Sequence, residues 1–150
     1  MQQERESEQS ATETQFDRLS SEHGEIRALA AELRAVLGRR AAAGSASDPE
    51  LAVLLETFAA RLGAHFEFEE SGGLFDGGAD PALRREADAL RAQHRDFEAR
   101  LRSLEEDLGR DPDAPVDGEL RRLLSDLAGH EAAEVALLQR LFCRDVGRGD

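Results

Sequence analysis

Two pairs of histidine and glutamate with the same four-residue spacing are the residues of this chain best placed to do chemistry. They are His65 with Glu69 and His130 with Glu134. On a helix, residues four apart share one face at a separation of about one turn, roughly 6 Å. Both pairs continue a stripe of apolar residues, and an imidazole and a carboxylate buried there need a compensating partner. A metal cation provides one, and imidazole and carboxylate ligands without a thiolate suit iron first, with manganese or zinc as alternatives.

The two remaining histidines, His23 and His94, lie on the apolar faces of two other predicted helices. In an antiparallel bundle, the starts of the first and third helices lie level with the ends of the second and fourth. His23, His94 and His130 are then expected at about one level, with His65 somewhat nearer the end of its helix. The sequence therefore predicts a two-metal site that the two glutamates bridge. Its predicted ligands are these four histidines and two glutamates: His23, His65, Glu69, His94, His130 and Glu134.

Four predicted helices position these residues, each marked by apolar residues that recur at intervals of three and four. Aspartate-proline pairs at 48–49 and 80–81 are typical of helix starts. Glycines are expected to end the first helix at Gly38, the second after Ser71 and the third at Gly109. Four helices with short loops predict an all-α, up-down-up-down antiparallel four-helix bundle. Its predicted extent is residues 13–146, after a disordered polar tail at 1–12.

The composition limits the partners of the chain. Its 150 residues carry a net charge of −13, which argues against binding to nucleic acid or to an anionic membrane surface. The single cysteine excludes an internal disulfide and a cysteine-rich metal site, and this fits a reducing compartment. With no secretory signal or membrane-spanning run visible, a cytoplasmic location is expected. The sequence leaves the oligomeric state open.

The order of the six predicted ligands along four helices resembles the hemerythrin-like (HHE cation-binding) family. The resemblance extends from about Phe16 to Phe142. It implies a non-haem centre of two iron ions with an oxo or hydroxo bridge, and a small ligand such as O2, peroxide or NO. In this family, the lone histidine of one helix and the histidine of the His–Glu pair on the next helix hold one iron together. The resemblance therefore implies one iron at His23 and His65, the other at His94 and His130, and bridging by both glutamates.

The sequence departs from the oxygen-carrying hemerythrins at two positions. Those proteins have a histidine four residues after the third-helix ligand, and this chain has Glu98 at that position. They also have an aspartate five residues after the fourth-helix histidine, whereas in this chain Glu134 follows His130 by four residues. Glu98 is a further candidate ligand that would favour the ferric state. Without it, each iron is expected to keep an open position, which favours redox turnover or sensing over reversible oxygen carriage.

Three functions stay open at this stage. The first is a di-iron protein that handles O2, peroxide or NO, with weak peroxidase- or catalase-like turnover as one variant. The second is an iron or oxygen sensor whose folding is coupled to metal binding. The third is a metal-free helical interaction module, since any single histidine is more often a satisfied core residue than a ligand. Other acidic residues near the site, including Glu22, Glu70 and Glu131, are expected to be surface charge.

Overall fold

The computed structural model describes residues 1–44, 48–73, 75, 78 and 80–147, with side chains up to residue 142. Its helices are α1 (Gln2–Ala43), α2 (Pro49–Ser71), α3 (Pro81–Arg110) and α4 (Asp117–Gly147), and these ranges contain no strand. Consecutive helices pack together, and α1 also packs against α4, which closes the bundle. The predicted four-helix bundle is therefore confirmed. Among the described residues, no helix combines the length and apolar composition that a membrane crossing requires.

The two aspartate-proline pairs start helices as predicted. The side chain of Asp48 accepts a hydrogen bond of 3.0 Å from the backbone N–H of Glu50, and Asp80 accepts one of 2.8 Å from Ala82. In both cases the proline occupies the first turn, where a missing N–H costs nothing. These caps fix the starts of α2 and α3, and therefore the heights of His65 and His94 in the bundle.

The prediction that α1 ends at Gly38 was wrong. The helix continues to Ala43 and ends at Gly44, which has a left-handed φ of 74°. The extra turn carries Arg40, whose guanidinium donates to both carboxylate oxygens of Asp117 at 3.1 and 3.3 Å. This partly buried ion pair joins the end of α1 to the start of α4, and it stabilises the additional turn.

The amino end of α1 begins at Gln2, so the structure places residues 2–12 on the helix where the sequence predicted a disordered tail. Residues 1–11 are all exposed. They present no apolar face, so the turns there continue from the packed part of the helix and gain no tertiary burial.

The buried apolar side chains form two clusters with a polar layer between them. The larger cluster includes Ile26 and Phe97, and the smaller one includes Leu19 and Leu90. Along α1, the chain passes from Leu19 through His23 to Ile26, and therefore from the smaller cluster through the polar layer into the larger one. The helices α3 and α4 cross the same three zones. The fold thus places the predicted ligands in a single slab across the bundle.

Candidate metal centre

The structure brings all six predicted ligands together in two groups that share one member. Each group has ligand atoms that lie within 4.8 Å of one another. The first group consists of His23, His65, Glu69 and Glu134, and the second consists of His94, His130 and Glu134. All six side chains are buried, with exposed fractions of 5% or less. The histidines are paired as the family resemblance implied, one from each of two consecutive helices.

Within each group the two imidazole rings lie close together, edge to face. The ring centroids of His23 and His65 lie 4.7 Å apart, and those of His94 and His130 lie 4.9 Å apart. The Nε2 atoms of His94 and His130 are separated by 3.1 Å. Two nitrogen ligands at right angles, each about 2.1 Å from a cation, would lie about 3.0 Å apart. The spacing of this pair therefore suits two ligands of one metal ion.

Glu134 lies between the two histidine pairs. Its Oε2 is 3.5 Å from Nε2 of His23, and its Oε1 is 3.6 Å from Nε2 of His94. The same Oε1 also contacts Nε2 of His130. The two oxygens of one carboxylate thus face different pairs of imidazoles, which is the arrangement of a bridging ligand. Glu69 contacts Nε2 of His65 and belongs to the first group alone.

The polar atoms that converge on the centre of the layer have no hydrogen-bond partner in the described part of the chain. They are Nε2 of His23 and His65, and both oxygens of Glu69 and Glu134. Buried polar atoms are almost always satisfied in folded proteins, since each unsatisfied one costs about 1–3 kcal/mol. Lone pairs from nitrogen and oxygen that converge in this way are satisfied by cations. The residues present therefore fit a bound metal pair.

The electrostatics of the layer also favour a cation. Burial and the adjacent carboxylate of Glu134 raise the pKa of Glu69 from 4.5 to about 12. Burial would raise the pKa of Glu134 as well, but the imidazoles of His130, His23 and His94 outweigh it and lower that pKa. Without a cation, Glu69 therefore holds a proton while Glu134 stays ionised. A metal ion would displace that proton and compensate both carboxylates.

Two residues outside the predicted set orient the ligands. Nδ1 of His65 donates to Oε2 of Glu22 at 2.8 Å, and Nδ1 of His130 donates to Oε1 of Gln93 at 2.6 Å. With Nδ1 engaged, Nε2 of each ring carries the lone pair that faces the centre. The expectation that Glu22 is surface charge was wrong. A sequence signal existed, because Glu22 directly precedes one lone histidine and Gln93 directly precedes the other.

The remaining acidic candidates occupy three different environments. Glu98 is exposed and belongs to neither ligand group, so it stands apart from the centre. Oε1 of Glu70 lies 3.8 Å from Nδ1 of His94, and its side chain is 41% exposed. Glu131 was expected at the surface but is half-buried, and its Oε1 lacks a hydrogen-bond partner among the described residues. Burial raises the pKa of Glu131.

Aromatic rings separate the polar layer from the larger apolar cluster. Phe66 stacks on the ring of His94, with centroids 3.9 Å apart and an interplanar angle of 9°. Phe97 meets His130 edge to face at 5.4 Å. Both phenylalanines are buried. They keep water away from this side of the layer, and they hold the two imidazoles in place by packing.

The fold and site define a helical-bundle protein with a buried cluster of histidine and glutamate ligands. The model of the hemerythrin HHE cation-binding domain family matches residues 14–141. The chain therefore belongs to this family, which confirms the resemblance inferred from its sequence. Comparisons with curated proteins and with solved structures gave no match.

Proposed function

We propose that this chain is a non-haem di-iron protein that binds or reacts with O2, peroxide or NO. The observation that carries the proposal is the position of Glu134, whose two oxygens face two different pairs of imidazoles. One metal ion would need only one of these pairs. A carboxylate shared between two histidine pairs supports two cations at neighbouring positions, and a ligand set of imidazole and carboxylate favours iron.

The residues of the chain would perform three tasks around such a centre. His23, His65 and Glu69 would hold one cation, His94 and His130 would hold the other, and Glu134 would bind both. Two iron ions so held would supply reversible electron transfer to a small oxygen or nitrogen species. The surrounding apolar residues would exclude water and larger reductants, and the acidic layer would stabilise the higher metal charge.

A tight gap, too small to admit a water molecule, lies between the centre and the smaller apolar cluster. Its wall includes Phe75 and Leu90, and its inner end includes His94 and Glu69. Packing this tight favours diatomic molecules and peroxide over bulky organic substrates. Weak peroxidase- or catalase-like turnover is part of the proposal, since exposed Glu98 leaves the position beside His94 without a further ligand.

Metal analysis of the protein produced with iron supplied tests the proposal. We expect about two irons per chain, together with near-ultraviolet and visible charge-transfer bands after oxidation. The double variant Glu69→Ala with Glu134→Ala is expected to lose both. The matched control removes two exposed carboxylates, Glu25 and Glu50, and is expected to keep both irons. Equal iron content in the site variant and the wild type would refute the assignment, as would iron-free wild-type protein.

The reaction itself is tested by mixing the reduced, iron-loaded protein separately with O2, hydrogen peroxide and NO. Oxidation of the centre, or a new visible spectrum, supports reaction with the species that causes it. Recovery of intact O2 on deoxygenation would instead indicate carriage. The absence of any spectral change with all three would contradict the proposed reactivity while leaving the metal site in place.

The unsatisfied polar layer favours a second candidate, an iron or oxygen sensor whose folding depends on metal occupancy. The layer crosses the whole bundle, and without a cation it leaves buried nitrogen and oxygen atoms unpaired. Metal binding would then contribute directly to folding. Loss of helical circular dichroism on chelation, combined with no turnover of peroxide, would select this function. Retention of the full helix content and melting temperature would contradict it.

A further inference from the structure

The two halves of the bundle repeat an orienting residue as well as their ligands. In the first half, Glu22 precedes His23 on α1 and reaches across to His65 on α2. In the second half, Gln93 precedes the lone histidine of α3 and reaches across to His130 on α4. Each dipeptide thus supplies one inward-facing imidazole and one side chain that accepts from Nδ1 of the next helix's histidine.

The repeat differs at one point, which is the charge of the acceptor. Glu22 offers a carboxylate, and Gln93 offers a neutral amide oxygen. A hydrogen bond to a carboxylate is about twice as strong as one between neutral groups, and it makes the imidazole a better electron donor to a metal. The carboxylate is also held in place, because its Oε1 accepts from Nε of Arg18 at 3.3 Å.

The surrounding ligands differ in the same direction. The group around His23 and His65 includes Glu69 as well as Glu134, whereas the group around His94 and His130 includes Glu134 alone. Glu22 is only 22% exposed, so its charge is screened less by solvent than that of an ordinary surface glutamate. The first position therefore has one more ligand carboxylate than the second and a charged acceptor on Nδ1 of His65. Beside the second position, Glu70 lies 3.8 Å from Nδ1 of His94, which is beyond hydrogen-bond distance, and it is 41% exposed.

We propose that Glu22 and Gln93 are positioning residues whose difference in charge makes the two metal positions unequal, so that a divalent cation fills the His23–His65 position first. This inference rests on the proposed function, since it assumes that the cluster holds two cations. The His23–His65 position is then the tighter of the two, and the charge of Glu22 makes it so.

Calorimetric titration of the chelator-treated full chain with Zn2+ tests the order of loading. We expect two binding steps in the wild type. Glu22→Gln, which keeps the hydrogen bond but removes the charge, is expected to weaken the tight step about tenfold and to leave the weak step unchanged. Gln93→Glu is expected to tighten the weak step. The matched control is Glu25→Gln, which removes an exposed charge one turn away that pairs with Arg61, and it is expected to change neither step.

A second measurement assigns the steps to positions. His65→Ala is expected to remove the tight binding step, and His130→Ala is expected to remove the weak one. Visible spectra of each variant with one equivalent of Co2+ then report the coordination of the position that remains. Two equal steps in the wild type would overturn the inference while leaving the proposed metal function intact. An unchanged Glu22→Gln titration, or loss of the weak step in His65→Ala, would do the same. Wild-type protein that binds no Zn2+, Co2+ or iron would overturn both.

Discussion

Raising the pH of the metal-free protein from 7 to 9 is expected to lower its free energy of unfolding by roughly 3 kcal/mol. The cause is Glu69, whose pKa is about 12 in the folded chain against an ordinary value of 4.5. Between those values the folded state holds a proton that the unfolded state has released. Stability must then fall as the pH rises, by about 1.4 kcal/mol per pH unit for each such proton.

The chosen window isolates this one group from its neighbours. Burial lowers the pKa of His65 below 6.5, so the contribution of His65 is present above pH 6.5 and is lost as the pH falls below it. Burial also raises the pKa of Glu131, so its effect on stability has the same sign as that of Glu69. Its desolvation is smaller than that of Glu69 because Glu131 is only half-buried. Neither group is expected to match the slope of Glu69 between pH 7 and 9.

The measurement is urea unfolding, followed by circular dichroism at pH 7, 8 and 9 in the presence of a chelator. Glu69→Gln imitates the protonated acid, so this variant is expected to lose most of the slope. The exposed variant Glu67→Gln is the control and is expected to keep it. A wild-type unfolding free energy that stays constant from pH 7 to 9, or an equal slope in Glu69→Gln, would refute the account of the buried carboxyl pair.

Three further predictions concern the end of α1 and the residues beside the centre. Arg40→Ala breaks a partly buried ion pair and should cost about 1–2 kcal/mol in urea unfolding. Arg39→Ala breaks an exposed pair and should cost at most about 0.5 kcal/mol, and equal losses in the two variants would contradict this. Glu98→Gln should leave the iron content unchanged, because the side chain is exposed, and a loss of iron would make it a ligand after all. Phe66→Ala should cost about 3–5 kcal/mol by the same assay, against less than about 1 kcal/mol for Phe16→Ala, which is 37% exposed. A small loss of stability in Phe66→Ala would show that the stack of Phe66 on His94 contributes little to the free energy of unfolding.

Much of the centre was predictable because its residues violate the hydrophobic pattern at a regular interval. A histidine such as His65 within a stripe of leucine and phenylalanine must face inward, and the four-residue spacing then places Glu69 beside it. The starts of α2 and α3 were predictable for a local reason, since an aspartate before a proline satisfies the first free N–H groups.

The features that escaped prediction depend on contacts between distant parts of the chain. Glu22 lies at the flank of the α1 stripe, and only the rotation of α2 against α1 decides that it meets His65. The end of α1 depends on Arg40, whose partner Asp117 is 77 residues away. A glycine such as Gly38 weakens a helix locally by about 1 kcal/mol. The pair of Arg40 with Asp117 and the buried neighbours Val36 and Leu37 together outweigh that cost.

The division of the apolar interior into a larger and a smaller cluster has a consequence for local unfolding. Among the described residues, fewer buried apolar side chains lie at the end of the bundle that contains Leu19 and Leu90 than at the end that contains Ile26 and Phe97. Opening of the smaller end should therefore require less free energy than global unfolding. A cation held between the two clusters would join them into one cooperative unit, so occupancy would slow amide exchange most at the smaller end, which opens more often without the cation. Occupancy of the centre would then be communicated to one end of the molecule through a change in the frequency of opening, without any change in average shape.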